Sequence, residues 1–549
     1  MNHPSTKSTK HDGMPPDNFS IGHGVLEDEL AMKNDDDDDA ILRANGHEAA
    51  MPRQFDWISA LGLGFSITNS WIGYLSCFGQ GLIYGGPQTC IFSLLVAFFA
   101  QCAVAIGLGE LASAYPSSGG QYHFCYILSP AKTRNYAAYT VGWISMLAWW
   151  IVTCSGISLG AAVLNGIVAF CYPSYAGNQW QTYCIYVAVS TVTSRSSHSE
   201  SSTQTAGFSQ LIRLVIPVFF SARMHAMAQL SLYLSLAGYL IFFIVALVMH
   251  KSRMPTSFLV ESGLGNSGWS PGTAWLLSIS NSMYAFGGID GVIHISEEMP
   301  RPGKRIPQLM ILTMLIGLFT AFSLFVVLMV FQIDMDAVRA APLPSLELIY
   351  QVTGSRNVTL GLFILLFVIY TSCLPSQWVT AGRIAWAFAR DNGVPFANFF
   401  SRIHPNLQFP LNATIAAYIF TCIYGLLYLA STTAFNSIIT SAVLFLNISY
   451  TVPQSILLVR GRNVLPRRPV NLGWLGLFCN IFSTLWIVLL GVLICMPPNL
   501  PVSLQSMNYT PVILVGVFVI VNSIWLFSGR ASFEGPRIDW EAMKQAEQD

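Results

Sequence analysis

The chain has 549 residues, of which 53% are hydrophobic and only 10% are charged. Soluble domains carry about 25% charged residues, so this composition excludes an ordinary soluble protein and indicates one that crosses a membrane many times. The formal net charge is zero, which argues against a nucleic acid as partner. The eleven cysteines show no metal-ligand spacing and lie mostly in apolar runs, so neither a metal site nor a disulfide framework is predicted.

The two ends of the chain are polar and are predicted to be cytoplasmic tails. Residues 1–54 include five consecutive acids, Asp35–Asp39, which repel one another and stay solvated. The acidic run lacks the spaced oxygen ligands and the turn glycine of a calcium-binding loop. We therefore expect a disordered tail over residues 1–54, a transmembrane domain over residues 55–530 and a second tail over residues 531–549.

Between the tails, about eleven apolar segments have the length of roughly 20 residues with which a helix spans a bilayer. They lie at about 57–82, 87–109, 136–170, 227–249, 273–297, 307–332, 358–382, 409–430, 433–458, 472–495 and 510–528.

One crossing is missing from this pattern. The chain turns polar over Thr193–Thr205, and Phe208–Phe220 is apolar again but contains Arg213 and Pro217. The loops on either side require an odd number of crossings, so a fourth transmembrane helix is expected here. A short helix followed by a re-entrant piece would meet that requirement. The alternative is that residues 193–223 come from an unremoved intron or a wrong exon boundary in the underlying gene.

Many of the basic residues between the apolar segments fall in alternate loops, and these predict the orientation. They are Lys132, Arg134, Arg301, Lys304, Arg305, Arg383, Arg390, Arg402, Arg460, Arg462, Arg467 and Arg468. The intervening loops near Gly85, Tyr172, Thr432 and Pro497 contain no lysine or arginine. Because basic loops stay in the cytoplasm, we expect both termini there.

Two glycosylation sequons, Asn357-Val-Thr and Asn508-Tyr-Thr, fall on the predicted outer side, which agrees with that orientation. The expected location is the plasma membrane, with the lipid bilayer as the surrounding partner.

The stretch Ala285–Glu298, written AFGGIDGVIHISEE, combines two features that a continuous transmembrane helix tolerates poorly. Gly287, Gly288 and Gly291 each cost a helix roughly 1 kcal/mol relative to alanine. Asp290 at mid-bilayer costs roughly 2.5–3.5 kcal/mol. Both costs fall if the helix breaks and its acid faces a polar cavity inside the protein, as in many secondary transporters. The alternative is a glycine-rich helix end with its acid at the water interface.

The first apolar segment contains a second candidate break, in SITNSWIGYLS. Asn69 and Ser70 lie beside Trp71 and Gly73 in the middle of the span. The alternative is a polar helix face packed against neighbouring helices.

Four motifs together point to a family. They are GELASAYPSSGGQYH, GWISMLAWW, GGIDGVIHISEEMPRPGKRIP and GRIAWAFARDNGVPF. In this order and spacing, the chain from about Asp56 to Ser528 resembles the fungal amino acid, GABA and choline permeases of the amino acid–polyamine–organocation superfamily. The first tail and residues 193–223 do not match.

The resemblance implies an all-α membrane protein of about twelve transmembrane helices, built as two inverted five-helix repeats followed by two further helices. In that family the first and sixth helices unwind at mid-bilayer and hold the substrate. The substrate-binding candidates are Asn69, Ser70, Trp71, Gly73, Trp149, Trp150, Phe286, Gly287, Gly288 and Asp290. An aromatic wall would suit an ammonium group through cation–π attraction. For Trp149 and Trp150 the alternative is packing or lipid contact.

Asp290 is predicted to face the central cavity, where it either pairs with the substrate cation or carries a coupling proton. The candidates for gating or coupling are Glu110, His294, Glu297, Glu298, Arg383 and Arg390. His294, Glu297 and Glu298 lie one to two turns beyond Asp290, and Arg383 or Arg390 are their expected partners.

These features predict a secondary active transporter that takes up a small amine-bearing nutrient (an amino acid, GABA or choline), driven by protons and without a cofactor. A non-transporting nutrient sensor of the same fold and an inactive product of a faulty gene model are the alternatives. An enzyme is not expected, because no zinc motif, nucleophile elbow or paired intramembrane carboxylates occur. No phosphate-binding loop occurs either, which argues against direct use of ATP.

Overall fold

The computed structural model describes residues 38–541, apart from residues 41, 48–49, 176, 196–223, 406–407, 431 and 504–506. The predictions for residues 1–37, for nearly all of Thr193–Arg223 and for residues 542–549 therefore lie outside the described residues.

The described chain is built from helices. In order they are α1 (Trp57–Thr68), α2 (Ser70–Gly85), α3 (Pro87–Ala114), α4 (Gln121–Leu128), α5 (Arg134–Cys171), α6 (Gln179–Arg195), α7 (Met224–Met249), α8 (Pro271–Ser282), α9 (Pro302–Phe331), α10 (Met335–Ala340), α11 (Pro344–Thr353), α12 (Arg356–Arg390), α13 (Ala397–Phe400), α14 (Leu411–Gly425), α15 (Leu427–Ala430), α16 (Thr432–Arg460), α17 (Trp474–Cys495) and α18 (Thr510–Ile524). A π-helical turn, Trp525–Gly529, joins α18 to α19 (Arg530–Ser532). Short 3₁₀ helices cover Thr256–Leu259, Met283–Phe286, Ile289–Glu298 and Arg462–Val464.

Within the described residues, eight helices are long and apolar enough to cross a membrane. They are α3, α5, α7, α9, α12, the Thr440–Arg460 part of α16, α17, and α18 with its continuation to Ser532. The interrupted span α1–α2, the span begun by α8, and the shorter α6 and α14 bring the total to about twelve crossings. The predicted all-α membrane fold is confirmed.

The helix boundaries follow from local chemistry. Asp56 caps α1, because its carboxylate accepts a hydrogen bond from the Ser59 amide at 2.7 Å. Gly86 has a φ of 77° and ends α2, and Pro87 then begins α3. Proline also occupies the first turn of α8, α9 and α11, where its missing amide hydrogen costs nothing.

The missing fourth crossing is partly visible. α6 runs from Gln179 to Arg195, so the polar stretch that begins at Thr193 starts inside a helix and not after it. The Thr193 hydroxyl donates to the Val189 carbonyl at 2.8 Å and accepts from the Trp378 indole at 3.2 Å. The remainder of the expected crossing falls at residues 196–223, outside the described residues.

The end of the bundle where the loops carry Arg301, Arg402 and Arg460 is called the basic end below. The described parts of both predicted tails pack there. The Arg301 amide donates to the Asp38 carboxylate at 2.7 Å, and the Asp539 amide donates to the Ala44 carbonyl at 3.1 Å. The described part of the N-terminal segment therefore contacts both the helices and the C-terminal segment.

Candidate functional site

The first break lies in the middle of the first span. Asn69 separates α1 from α2 with φ 30° and ψ 58°, a left-handed conformation that asparagine adopts more readily than most residues. The last carbonyls of α1 and the first amides of α2 therefore lack the partners of a continuous helix. The Asn69 Nδ2 donates to Cys373 Sγ at 3.3 Å, and its Oδ1 accepts from the Ser235 hydroxyl at 3.0 Å.

The second break faces the first. After α8 the chain forms the 3₁₀ turn Met283–Phe286, passes through Gly288 and continues as the 3₁₀ helix Ile289–Glu298. Gly288 has a φ of 74°, and a Cβ there would collide with Ile67 and crowd Trp149. The position therefore needs glycine for its backbone conformation and for space.

A cavity of about 60 Å³ lies between the two breaks. Its lining contains no Asp, Glu, Lys, Arg or His. Polar atoms of Thr68 and Gln377 in this lining are buried and have no hydrogen-bond partner among the described residues, so they are open to a polar solute. The lining residues are Ser66, Ile67, Thr68, Asn69, Ile72, Gly73, Val152, Ser155, Tyr284, Gly287, Tyr370, Cys373, Leu374, Gln377, Ala442, Val443 and Leu446.

A wider vestibule of about 650 Å³ lies above this cavity, toward the end of the bundle opposite the basic end. Its wall includes Gln80 and Tyr84 from the last turns of α2. Vestibule and cavity share Ser155, Tyr284 and Val443. The hydroxyls of Ser155 and Tyr284 are 2.7 Å apart, so a hydrogen bond lies where the two spaces meet.

Of the predicted substrate residues, Asn69, Gly73 and Gly287 line the central cavity. Ser70, Gly288, Asp290 and the predicted aromatics do not. Tyr284 and Tyr370 supply the aromatic lining instead.

The predicted aromatics are occupied elsewhere. The Trp71 indole donates to the Ser235 hydroxyl at 3.1 Å, and Phe286 packs edge-on against Phe98. Trp149 and Trp150 are successive on one helix, so their side chains project about 100° apart. The Trp150 indole donates to the Ala381 carbonyl at 3.4 Å, on a different face from Trp149.

Asp290 lies deeper than the cavity, toward the basic end, and is fully buried. Its Oδ2 accepts from Gln121 Nε2 at 2.7 Å and Trp149 Nε1 at 3.0 Å, and lies 3.2 Å from His294 Nε2. Its Oδ1 accepts from the Tyr450 hydroxyl at 2.5 Å. Asp290 therefore ties the second break to α4, α5 and α16, and the alternative of an acid at the water interface does not describe its position.

His294 connects this carboxylate to the backbone. Its Nδ1 lies 2.9 Å from the Ser118 carbonyl, which only accepts, so Nδ1 carries a hydrogen. Its Nε2 faces the Asp290 carboxyl group, and a hydrogen bond there needs one further hydrogen, on Nε2 or on the carboxyl oxygen.

Two ion pairs close the basic end beyond this pair. Glu298 and Arg383 are fully buried and form a bidentate pair, with Arg383 Nη2 donating to Oε2 at 2.6 Å. Arg390 donates to both carboxylate oxygens of Glu297, at 2.9 and 3.0 Å. Gln54 donates to Glu298 Oε2 at 2.7 Å, so the segment before α1 joins the closure.

Glu110 lies in a separate cluster at the same end. Its carboxylate accepts from Arg462 at 2.6 Å, from Arg468 at 2.5–2.9 Å and from the Leu472 amide at 3.1 Å. These contacts tie α3 to the loop between α16 and α17. Among the described residues, no group of three or more His, Cys, Asp and Glu side chains is placed to hold a metal ion.

The N-terminal segment also covers α4. His123 Nε2 lies 2.9 Å from the Asn45 carbonyl, and the His123 and His47 rings are 5.2 Å apart. Burial lowers the pKa of His123 to about 4, although the hydrogen bond to Asn45 acts in the opposite direction. Burial, followed by the nearby Arg390 charge, lowers the pKa of His47 as well.

Acidification should loosen this N-terminal segment. A histidine with a depressed pKa binds fewer protons when packed than when detached, so packing is fully stable above about pH 6.5 and weakens toward pH 4. Between those limits we expect detachment to become favoured by up to about tenfold per pH unit for each such histidine. Hydrogen exchange of residues 42–47 in the purified protein measures it. His123→Gln should flatten the response, and an unchanged response in that variant would contradict the prediction.

Several residues of this site are not predicted from the sequence. Tyr450 and Gln121 hold Asp290, while Tyr284, Tyr370 and Gln377 line the cavity. The stretch that contains Tyr370 and Gln377, YTSCLPSQ, is polar within an apolar helix, which is a usable signal. Tyr450 and Gln121 lie in amphipathic stretches of sequence. Many packed helices have such stretches, so the pattern does not identify these two residues as part of a site.

The family model described as "Amino acid permease" matches residues 55–220 and 194–518, two segments that overlap within the anomalous stretch. The chain is 30% identical over 516 residues to a choline transporter of Saccharomyces cerevisiae, covering 92% of this chain and 87% of the relative. It is 26% identical over 502 residues to the swainsonine transporter swnT of Arthroderma benhamiae, covering 90% and 95%. It is 24% identical over 523 residues to the amino-acid permease BAT1 of Arabidopsis thaliana, covering 90% and 95%.

Proposed function

Because the chain belongs to the amino acid permease family, we propose that it takes up a small amine-bearing nutrient across the plasma membrane by proton-coupled secondary transport. The family and the transporter names of its relatives also confirm the predictions that the chain is an integral membrane transporter and not an enzyme. Substrate, coupling ion, membrane and orientation belong to the proposal.

The observation that carries the proposal is the uncharged cavity between the two helix breaks. The carbonyl end of α1 at Thr68 bears partial negative charge and suits an ammonium group, and the rings of Tyr284 and Tyr370 add cation–π attraction. The amide end of α2 beside Gly73 suits a carboxylate. An amino acid or GABA would use both ends, whereas choline would use the first end and the rings.

The cavity of about 60 Å³ is far smaller than the roughly 300–1,000 Å³ of drug-sized ligand sites. A cavity of this size favours a small substrate, and the Ser155–Tyr284 hydrogen bond has to open before a solute enters from the vestibule. The ion pairs of Glu297 and Glu298 close the opposite route. The arrangement fits a carrier that is closed at the basic end and whose vestibule extends from the opposite end as far as Tyr284.

The coupling proton is assigned to the His294–Asp290 pair. Loss of its shared proton would leave a net negative charge in a fully buried position, which is costly unless the closure toward the basic end opens to water. Proton release and inward opening are thereby linked, as proton-driven uptake requires. The basic end is taken as the cytoplasmic end, by the positive-inside rule.

Uptake measurements test this proposal. Labelled choline, GABA, neutral amino acids and a polyamine are offered to cells that lack their own carriers, with and without a protonophore. We expect saturable uptake of one class that collapses with the protonophore. Binding without uptake would indicate the nutrient sensor instead, and uptake indifferent to the protonophore would overturn the proton coupling.

A thiol experiment tests the orientation. Cys77 is partly exposed and lines the vestibule, so a membrane-impermeant thiol reagent added outside intact cells should inhibit uptake by modifying it. Cys77→Ser should abolish the inhibition. Cys184→Ser is the matched control, because Cys184 is exposed but does not line the vestibule. Inhibition that survives Cys77→Ser would contradict the prediction.

A further inference from the structure

An apolar groove of about 600 Å³ runs along α16 on the outside of the bundle, away from the substrate cavity. Its walls come from the start of α5 and the loop before it, and from α16, α17 and α18. The lining residues are Ser129, Pro130, Thr133, Ala137, Ile448, Thr451, Val452, Ser455, Ile456, Val459, Arg460, Ile487 and Phe518. We call it the α16 groove.

The α16 groove has the depth of one bilayer leaflet. Its α16 wall extends from Ile448 to Arg460, which is about 18 Å at the rise of an α-helix. Half of a hydrocarbon core of about 30 Å is about 15 Å. The deep part of the groove is walled by Ile448, Ile487 and Phe518, so its chemistry matches that of an acyl chain.

The shallow end of the groove is polar and positively charged. Arg460 and Thr133 lie there, and Lys132 directly precedes Thr133. Arg460 and Lys132 are exposed, and neither has a hydrogen-bond or ion-pair partner among the described residues. These cations lie at the basic end, next to the leaflet surface where acidic headgroups accumulate in the cytoplasmic orientation.

We propose that the α16 groove binds one anionic phospholipid, with an acyl chain along Ile456 and Ile448 and the headgroup phosphate at Arg460. The charge of Arg460, together with Lys132, selects an acidic lipid over a zwitterionic one. The groove is lined by α5, α16, α17 and α18. The bound lipid therefore stabilises the packing of α17 and α18 against α5 and α16, the helices that carry Trp149 and Tyr450. The binding does not depend on which nutrient is carried.

Native mass spectrometry of the purified full chain tests the site, with phosphatidylserine and phosphatidylcholine as probes. We expect the wild type to bind phosphatidylserine at least fivefold more tightly, and Arg460→Gln to remove that preference. Arg402→Gln is the matched control, because Arg402 is an exposed arginine of another loop at the basic end and does not line the groove. It should leave the preference unchanged.

Ile456→Trp replaces an aliphatic side chain with a larger indole ring that fills part of the groove. It should weaken the binding of both lipids at least fivefold. Equal phosphatidylserine binding by the wild type and Arg460→Gln would overturn the proposal, whatever the fate of the Ile456 variant. An Ile456→Trp variant that binds both lipids as tightly as the wild type would also overturn it. If the wild type proves to be a dimer and that variant a monomer, the groove is an interface between two copies of the chain.

Discussion

Uptake by Asp290→Asn should fall at least tenfold per molecule at the cell surface, equivalent to about 1.4 kcal/mol, and the remaining uptake should lose its dependence on pH. The asparagine keeps the size but replaces one acceptor oxygen with an NH₂ group. Gln121, Trp149 and Tyr450 all donate to the present carboxylate, so at least one buried donor loses its acceptor, at a cost of about 1–3 kcal/mol. In the proposed mechanism, the proton shared with His294 is lost as well.

Tyr450→Phe is the matched control for that experiment. It removes one donor to Asp290 Oδ1 but leaves the His294–Asp290 contact intact. Uptake by this variant should fall less than in Asp290→Asn and should keep the wild-type pH profile. If Asp290→Asn transports at the wild-type rate with the wild-type pH profile, Asp290 is a structural acid and the coupling assignment fails.

Arg383→Gln should destabilise the protein by about 3–5 kcal/mol, because it leaves the fully buried Glu298 carboxylate without its guanidinium partner. We expect a large loss of surface protein and, in the molecules that remain, a basic end that opens without substrate. The readouts are thermal unfolding in detergent and modification of cysteines introduced below the cavity.

The double variant Arg383→Gln with Glu298→Gln separates charge from packing. It removes both buried charges, so it should recover most of the lost stability while leaving the closure weaker than in the wild type. Arg390→Gln should cost less than Arg383→Gln, because Arg390 is partly exposed and water can replace part of its contact with Glu297. A double variant as unstable as Arg383→Gln would contradict this account of Glu298.

The fold is predictable from the sequence because its main determinants are local. They are the number of apolar residues needed to span a bilayer and the free-energy cost of glycine and aspartate inside a transmembrane helix. The run of glycines around Asp290 indicates a helix break, and Gly288 adopts the positive φ that glycine accommodates without steric cost. The break at Asn69 was harder to identify, since asparagine also occurs in unbroken polar helix faces. Inverted repeats place two helix breaks opposite each other, so the candidate break at Gly288 supports the prediction of a break at Asn69.

The side-chain directions around the site were less predictable. Asp290 was expected to face the cavity, and whether it contacts substrate stays a prediction, but here its oxygens are taken up by four neighbours from other elements. Trp149 and Trp150 illustrate the cause. Adjacent residues on one helix face different neighbours, and only the tertiary arrangement decides which of them reaches the site.

The hydrogen bond between the Asp539 amide and the Ala44 carbonyl bears on how this carrier can be observed in cells. A fluorescent protein fused after residue 549 is separated from that contact by the ten residues 540–549. A bulky reporter at this position would pull on the N-terminal segment, and through Gln54 on Glu298. A fusion that reaches the membrane can thus show uptake kinetics that differ from those of the untagged protein. A small epitope tag is the safer label for uptake measurements.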